Sequence, residues 1–207
     1  MPWRQLLDLL FPPQCAGCNA LGAGLCDACT PRADPIRVRF PTLCVTAFGA
    51  YEGSLRAAVL ALKDGRRDVA EALGEMVACL VQKGALLVPI PTTAGRRRVR
   101  GVDGVALVAR CAAALRDARV VAALELRSPG AQRGRSRTQR LAARGRFACN
   151  PAGVATRRVT LFDDVCTTGS TLRDCADAVR EAGGLVEDAV VVAVTKSHQP
   201  WRVPILN

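Results

Sequence analysis

The chain has 207 residues, half of them apolar, and a formal charge of +11 at pH 7. That is enough for one full domain with a small appendage, and it excludes wholesale disorder; no window reaches 18 uninterrupted apolar residues, so no membrane span is expected. The charge suits anionic partners, either phosphorylated small molecules or nucleic acid, while aromatic residues at 4% of the chain argue against a base-stacking platform.

The opening stretch, "MPWRQLLDLLFPPQC", sets Asp8 inside a short apolar run and shows no small-residue cleavage site. It reads as an amphipathic start rather than a secretory signal, and a cytoplasmic location is expected. Of the ten cysteines, four follow at once in "CAGCNALGAGLCDAC", two C-x-x-C knuckles separated by seven residues. Two residues between thiolates let both sulfurs of a knuckle reach one tetrahedral ion at about 2.3 Å, and the second knuckle completes four-coordination. Cys15, Cys18, Cys26 and Cys29 are therefore expected to hold a structural zinc ion, with iron the other occupant such a site suits. A disulfide framework is the weaker reading in a chain without a signal segment. Roughly 15 residues cannot bury a core, so the metal would supply the folding free energy of this element. Cys44, Cys79, Cys111, Cys149, Cys166 and Cys175 stand in apolar surroundings and read as small core residues.

Beyond residue 45 the chain alternates between two periods. Apolar spacing predicts helices over 54–63, 68–82, 103–116 and 170–182, the last closed by Gly183 and Gly184. Continuous apolar runs predict buried strands over 86–90, 120–126, 158–162 and 189–195. Strands without polar alternation, separated by helices, imply an α/β fold with a mostly parallel sheet covered on both faces. The expected organisation is a metal-binding element over 1–45 and an α/β domain over 46–207. Two basic connections interrupt the alternation, 92–101 with four arginines and 127–146. The second is long for a connection inside a compact domain, and it reads as a functional or mobile loop or as a solvated basic loop without a role.

The stretch "VTLFDDVCTTGSTLRD" puts Asp163 and Asp164 at the carboxyl end of a predicted strand. In an open parallel sheet, ligands bind beyond that edge. The turn that follows enters a helix whose first N–H groups lack internal partners and whose dipole favours an anion. Gly169 lets a phosphate approach the backbone, and Thr167, Thr168, Ser170 and Thr171 add hydroxyl donors. The two carboxylates can accept hydrogen bonds from sugar hydroxyls beside that phosphate. The pattern suits a sugar phosphate; an ordinary capped helix with two incidental acids is the bland alternative.

The same residues resemble the ribose-phosphate motif of type I phosphoribosyltransferases. The chain is also similar to the ComF-type (GntX-like) competence family, in the order of the knuckle pair before Pro31, "YEGSLRAAVLALKDGRR", "VPIPTTAGRRRVRG" and the late acidic motif. The resemblance implies a type I phosphoribosyltransferase fold over 46–207 that binds 5-phosphoribosyl-1-pyrophosphate with Mg²⁺. Asp163 and Asp164 would hold the ribose hydroxyls, and Thr167, Thr168, Gly169, Ser170 and Thr171 the 5′-phosphate. Thr92 and Thr93 would form the pyrophosphate loop, with Arg96, Arg97, Arg98 and Arg100 facing the diphosphate. Gln132, Arg133 and Arg140 would belong to a flexible loop that closes over the sugar. The chain departs from the family at Val102-Asp103-Gly104, where Phe-Asn-Gln is usual, and at Asp64, where an aromatic is usual; the asparagine expected shortly after Arg140 is missing.

Two functions stay open at this point. One is a phosphoribosyltransferase acting on an unknown nitrogenous acceptor, with catalysis by positioning and charge neutralisation rather than by a covalent nucleophile. The other, implied by the competence family, is a non-catalytic adaptor that binds single-stranded DNA or DNA-uptake proteins. His198, the single histidine, reads as a surface residue of the tail.

Overall fold

The computed structural model describes residues 12–92, 103–127 and 145–195. Its centre is a six-stranded sheet built from β1 (Ile36–Phe40), β2 (Leu43–Ala50), β3 (Leu86–Pro89), β4 (Arg119–Val120), β7 (Arg158–Cys166) and β8 (Leu185–Val194). The order is β1-β2-β8-β7-β3-β4. All neighbours are parallel except β1 and β2, which pair antiparallel. Strands β5 (Leu124–Leu126) and β6 (Phe147–Cys149) form a separate antiparallel ribbon.

Helices α1 (Gly53–Lys63), α2 (Arg67–Val77), α3 (Gly104–Leu115) and α4 (Ser170–Glu181) cover the sheet. The split of the core follows from the strand period of two. Leu161, Val159, Val45 and Val191 pack with Leu172 and Val179 of α4 on one face. Phe162, Leu87, Val190 and Val192 pack with α1, α2 and α3 on the other. Both faces are thus apolar, as the uninterrupted hydrophobic runs require.

The predicted elements differ from the structure at several points; β8 begins at Leu185, four residues ahead of the expected 189. The strand expected over 120–126 is two strands in two sheets: β4 stays beside β3, and Val121 is the last residue to donate to Leu87, at 3.0 Å. The chain then turns at Ala122 to begin the ribbon, a change that apolar character alone does not encode. The helix expected over 68–82 ends as α-helix at Val77 and continues as a 3₁₀ turn over Ala78–Leu80. Strand β7 runs to Cys166, four residues beyond the expected 162, so Asp163 and Asp164 lie within the strand rather than after it. The hairpin β1–β2 lies ahead of the periodic stretch. Ile36 and Val38 are buried while Arg37 and Arg39 are exposed, the pattern of a charged edge strand. The division drawn after residue 45 falls inside β2, where residues on both sides of it pair with β8 (Cys44 with Asp188, Thr46 with Val190). Among the described residues, no helix is long and apolar enough to cross a membrane.

Candidate functional site

The carboxyl ends of β3 and β7 open into a cleft of about 280 Å³. Asp163, Asp164, Thr92 and Thr171 line it together with Lys63 and Arg146. Residues from three separated motifs of the sequence therefore share one concavity with Arg146. Thr93, Arg96, Arg97, Arg98, Arg100, Gln132, Arg133 and Arg140 lie outside the described residues.

The acidic pair is asymmetric. Asp163 accepts the backbone N–H of Asp164 at 2.8 Å. Burial, and then the adjacent Asp164 charge, raise its carboxyl well above the ordinary carboxylate range, against the N–H of Asp164 and the charge of Lys63. Asp164 has its own cation: Lys63 Nζ, at the end of α1, lies 3.4 Å from Asp164 Oδ2. One carboxyl is thus biased toward its neutral form while the other is held by a lysine, which limits like-charge repulsion at this point of β7.

The turn after β7 leads directly into α4. Gly169 is the N-cap of α4 with φ of 70°, in the left-handed region where glycine carries no Cβ penalty. A Cβ there would also meet the ring of Phe40 at 2.3 Å. Phe40 therefore closes one side of the turn, while Thr167, Thr168 and Ser170 stay exposed. Thr168 Oγ1 accepts the Ser170 N–H at 3.4 Å and lies 3.1 Å from the Ser170 hydroxyl. The amides of the first turn of α4 have no acceptor four residues back, so this end offers donors to an anion.

The wall contributed by β3 is pinned by Asp103. Its carboxylate accepts the N–H of Thr92 at 3.3 Å, the Thr92 hydroxyl at 3.2 Å and the N–H of Ala106 at 3.3 Å. It thereby caps α3 and fixes the start of the 92–101 connection at once. At Gly104, the first residue of α3, a Cβ would meet Leu62 at 2.9 Å.

The N-terminal cluster is a separate centre. The sulfurs of Cys15, Cys18, Cys26 and Cys29 all lie within 4.8 Å of one another, as four ligands of one ion do. Backbone N–H groups of Gly17 and Cys26 point at Cys15 Sγ at 3.3 and 3.4 Å. The Cys26 N–H, foremost, lowers the Cys15 thiol to about 6. The neighbouring sulfurs, Cys18 first, push Cys29 up to about 12. Four crowded sulfurs thus resist joint deprotonation on their own, and a cation at their centre reverses that balance. The residues fit a metal, and its chemistry there would be structural, since the protein fills all four positions. A Cβ on Gly24 would strike the backbone of Asp68 at 2.7 Å, so the knuckles dock directly on the start of α2.

The motifs did not single out Lys63, Asp103, Arg146, Phe40 or the ribbon residue Phe147. Lys63 carried one usable signal, as one of three lysines in an arginine-dominated chain. The others reach the site only through tertiary packing.

No family model matches the chain. A stretch of 44 residues is 54% identical to an orotate phosphoribosyltransferase of Nocardioides sp., covering 21% of this chain and 24% of that protein. A stretch of 36 residues is 56% identical to an orotate phosphoribosyltransferase of Methanopyrus kandleri, covering 17% and 20%. The chain thus spans less than a quarter of the length of these curated relatives. A solved structure described as the allosteric regulatory enzyme of purine biosynthesis overlays 61% of this chain and 26% of its own, at 19% identity and a TM-score of 0.41. The short, closely similar stretches support a type I phosphoribosyltransferase domain in this chain.

Proposed function

We propose that the cleft binds 5-phosphoribosyl-1-pyrophosphate with Mg²⁺ and that the protein belongs to the ComF type, with the phosphoribosyl group passed to a nitrogenous acceptor. The observation that carries this reading is the shared cleft, in which Asp163, Asp164 and Thr171 line the same cavity as Thr92. In this reading the 5′-phosphate takes the amides and hydroxyls of the 167–171 turn. The ribose hydroxyls lie against the acidic pair, and the diphosphate runs toward the Thr92 side and the arginines that follow. Mg²⁺ would come with the diphosphate and neutralise part of its charge as it leaves. The chain's own part is to position the sugar, supply cations and exclude water. A reducing, cytoplasmic setting suits ten cysteines, all of them free.

Calorimetry with the magnesium complex of 5-phosphoribosyl-1-pyrophosphate tests the reading. The wild type binds, and Asp163→Ala with Asp164→Ala weakens binding at least tenfold; equal affinity in both rejects it. A second reading, an adaptor for single-stranded DNA, draws on the exposed Arg37 and Arg39 of β1 and the charge of +11. It predicts an affinity that falls steeply with salt as counterions are released, and salt-indifferent binding excludes it.

A further inference from the structure

We propose that Arg146 is an additional phosphate-binding residue of the cleft, and that it sets the Thr171 hydroxyl to donate to the same phosphate; this rests on the sugar-phosphate reading of the 167–171 turn. Arg146 stands just ahead of β6, at the end of the basic 127–146 connection. Its guanidinium is held on three sides. Nε donates to Asp174 Oδ2 at 3.0 Å, Nη2 donates to Thr171 Oγ1 at 3.2 Å, and the group lies 5.8 Å from the ring centre of Phe147. Phe147 is itself buried, so this face is fixed by the core.

The bond to Thr171 has a direction. An arginine only donates, so Thr171 Oγ1 is the acceptor and its own proton points elsewhere. Thr171 lines the cleft beside Arg146, where that proton is available to a ligand oxygen. Among the described residues, two of the five guanidinium N–H donors are used, by Asp174 and Thr171. A planar donor fork next to a donating hydroxyl is the pairing that recognises a tetrahedral phosphate. The Arg146–Asp174 pair adds little stability, because the two side chains are 59% and 35% exposed. Asp174 acts as a positioning residue: it takes Nε and turns the Nη edge toward Thr171.

The test is calorimetry with ribose 5-phosphate and, separately, with magnesium pyrophosphate, on the wild type, Arg146→Gln, Arg146→Lys, Thr171→Val and the Arg146→Gln/Thr171→Val double variant. Arg146→Gln is expected to weaken ribose 5-phosphate roughly 10- to 100-fold, the range of a lost charge-assisted bond, and to leave pyrophosphate within about twofold. Arg146→Lys keeps the charge without the fork and falls between. Thr171→Val costs less in the Arg146→Gln background than alone, because the two groups act as one unit. The melting temperature of Arg146→Gln stays within about 2 °C of the wild type, as expected for an exposed pair. Unchanged ribose 5-phosphate affinity in Arg146→Gln, an equal loss for pyrophosphate, or a large drop in melting temperature overturns the role of Arg146 alone. A wild type that binds neither ribose 5-phosphate nor magnesium pyrophosphate overturns the underlying reading, and this proposal with it.

Discussion

Asp163 is where stability and ligand binding conflict at the scale of one residue. Its carboxyl is raised by burial and by Asp164, so the folded chain holds a proton that the unfolded chain releases near pH 3.9. Below that value both states are protonated and the group is neutral to folding. As pH rises the unfolded state ionises first, so stability falls from the unfolded value onward and levels off once pH has passed the folded value. Asp163→Asn removes this loss. It is expected to raise the melting temperature at neutral pH by roughly 2–4 °C for each kcal/mol relieved, with a gain that shrinks toward pH 4 and with weaker sugar-phosphate binding. Thermal unfolding followed across pH 4 to 8 measures it, and a gain that does not depend on pH contradicts the assigned cause. Gly169 makes the opposite case. Gly169→Ala meets both a left-handed φ and the Phe40 ring at 2.3 Å, so it is expected to cost about 1–3 kcal/mol and to distort the turn. Denaturant titration checks the cost, and ribose 5-phosphate affinity checks the turn.

Among the elements, periodicity resolved what has one period and missed what changes partner. Helices α1, α3 and α4 were legible from residues such as Leu55, Val108 and Leu172, because one apolar stripe faces one sheet throughout. Strands β4 and β5 merged in the sequence because Val120 and Leu124 are both apolar although they belong to different sheets. The β1–β2 hairpin was missed because its register is set by pairing across the Phe40–Leu43 turn rather than by a continuous apolar run. The close approach of α2 to α3 was also invisible, since it depends on one glycine: a Cβ on Gly74 would lie 2.3 Å from Cys111 Cβ. Gly74→Ala is therefore expected to destabilise the protein by about 1–3 kcal/mol despite the better helix propensity of alanine. An unchanged denaturation midpoint would show that the two helices separate at no cost.

Across the whole molecule, the four-cysteine cluster was legible because tetrahedral thiolate chemistry leaves its mark in local spacing. The turn after β7 was legible for a similar reason, since one strand-to-helix corner forms it. Lys63 and Arg146 were not, because their partners Asp164 and Thr171 are distant in sequence and meet them only in the folded chain. The knuckles are tied to the rest of the molecule by Arg66, which donates to the carbonyl of Gln14 and to Asp68, and by the packing of Gly24 on α2. Metal loss should therefore be felt beyond residues 15–29. About one bound metal per chain is expected by elemental analysis, and chelation or Cys18→Ser is expected to lower the melting temperature by several degrees; insensitivity to both would argue against a structural ion. In the proposed function, the corner after β7 holds the phosphate of a phosphorylated sugar whose hydroxyls face Asp163 and Asp164. The most direct measurement is a crystal structure of the protein with 5-phosphoribosyl-1-pyrophosphate and Mg²⁺. The 5′-phosphate is expected within hydrogen-bonding distance of the 168–171 amides, with the ribose hydroxyls against the acidic pair. Sugar phosphate seated elsewhere, with this corner left to solvent, would contradict it.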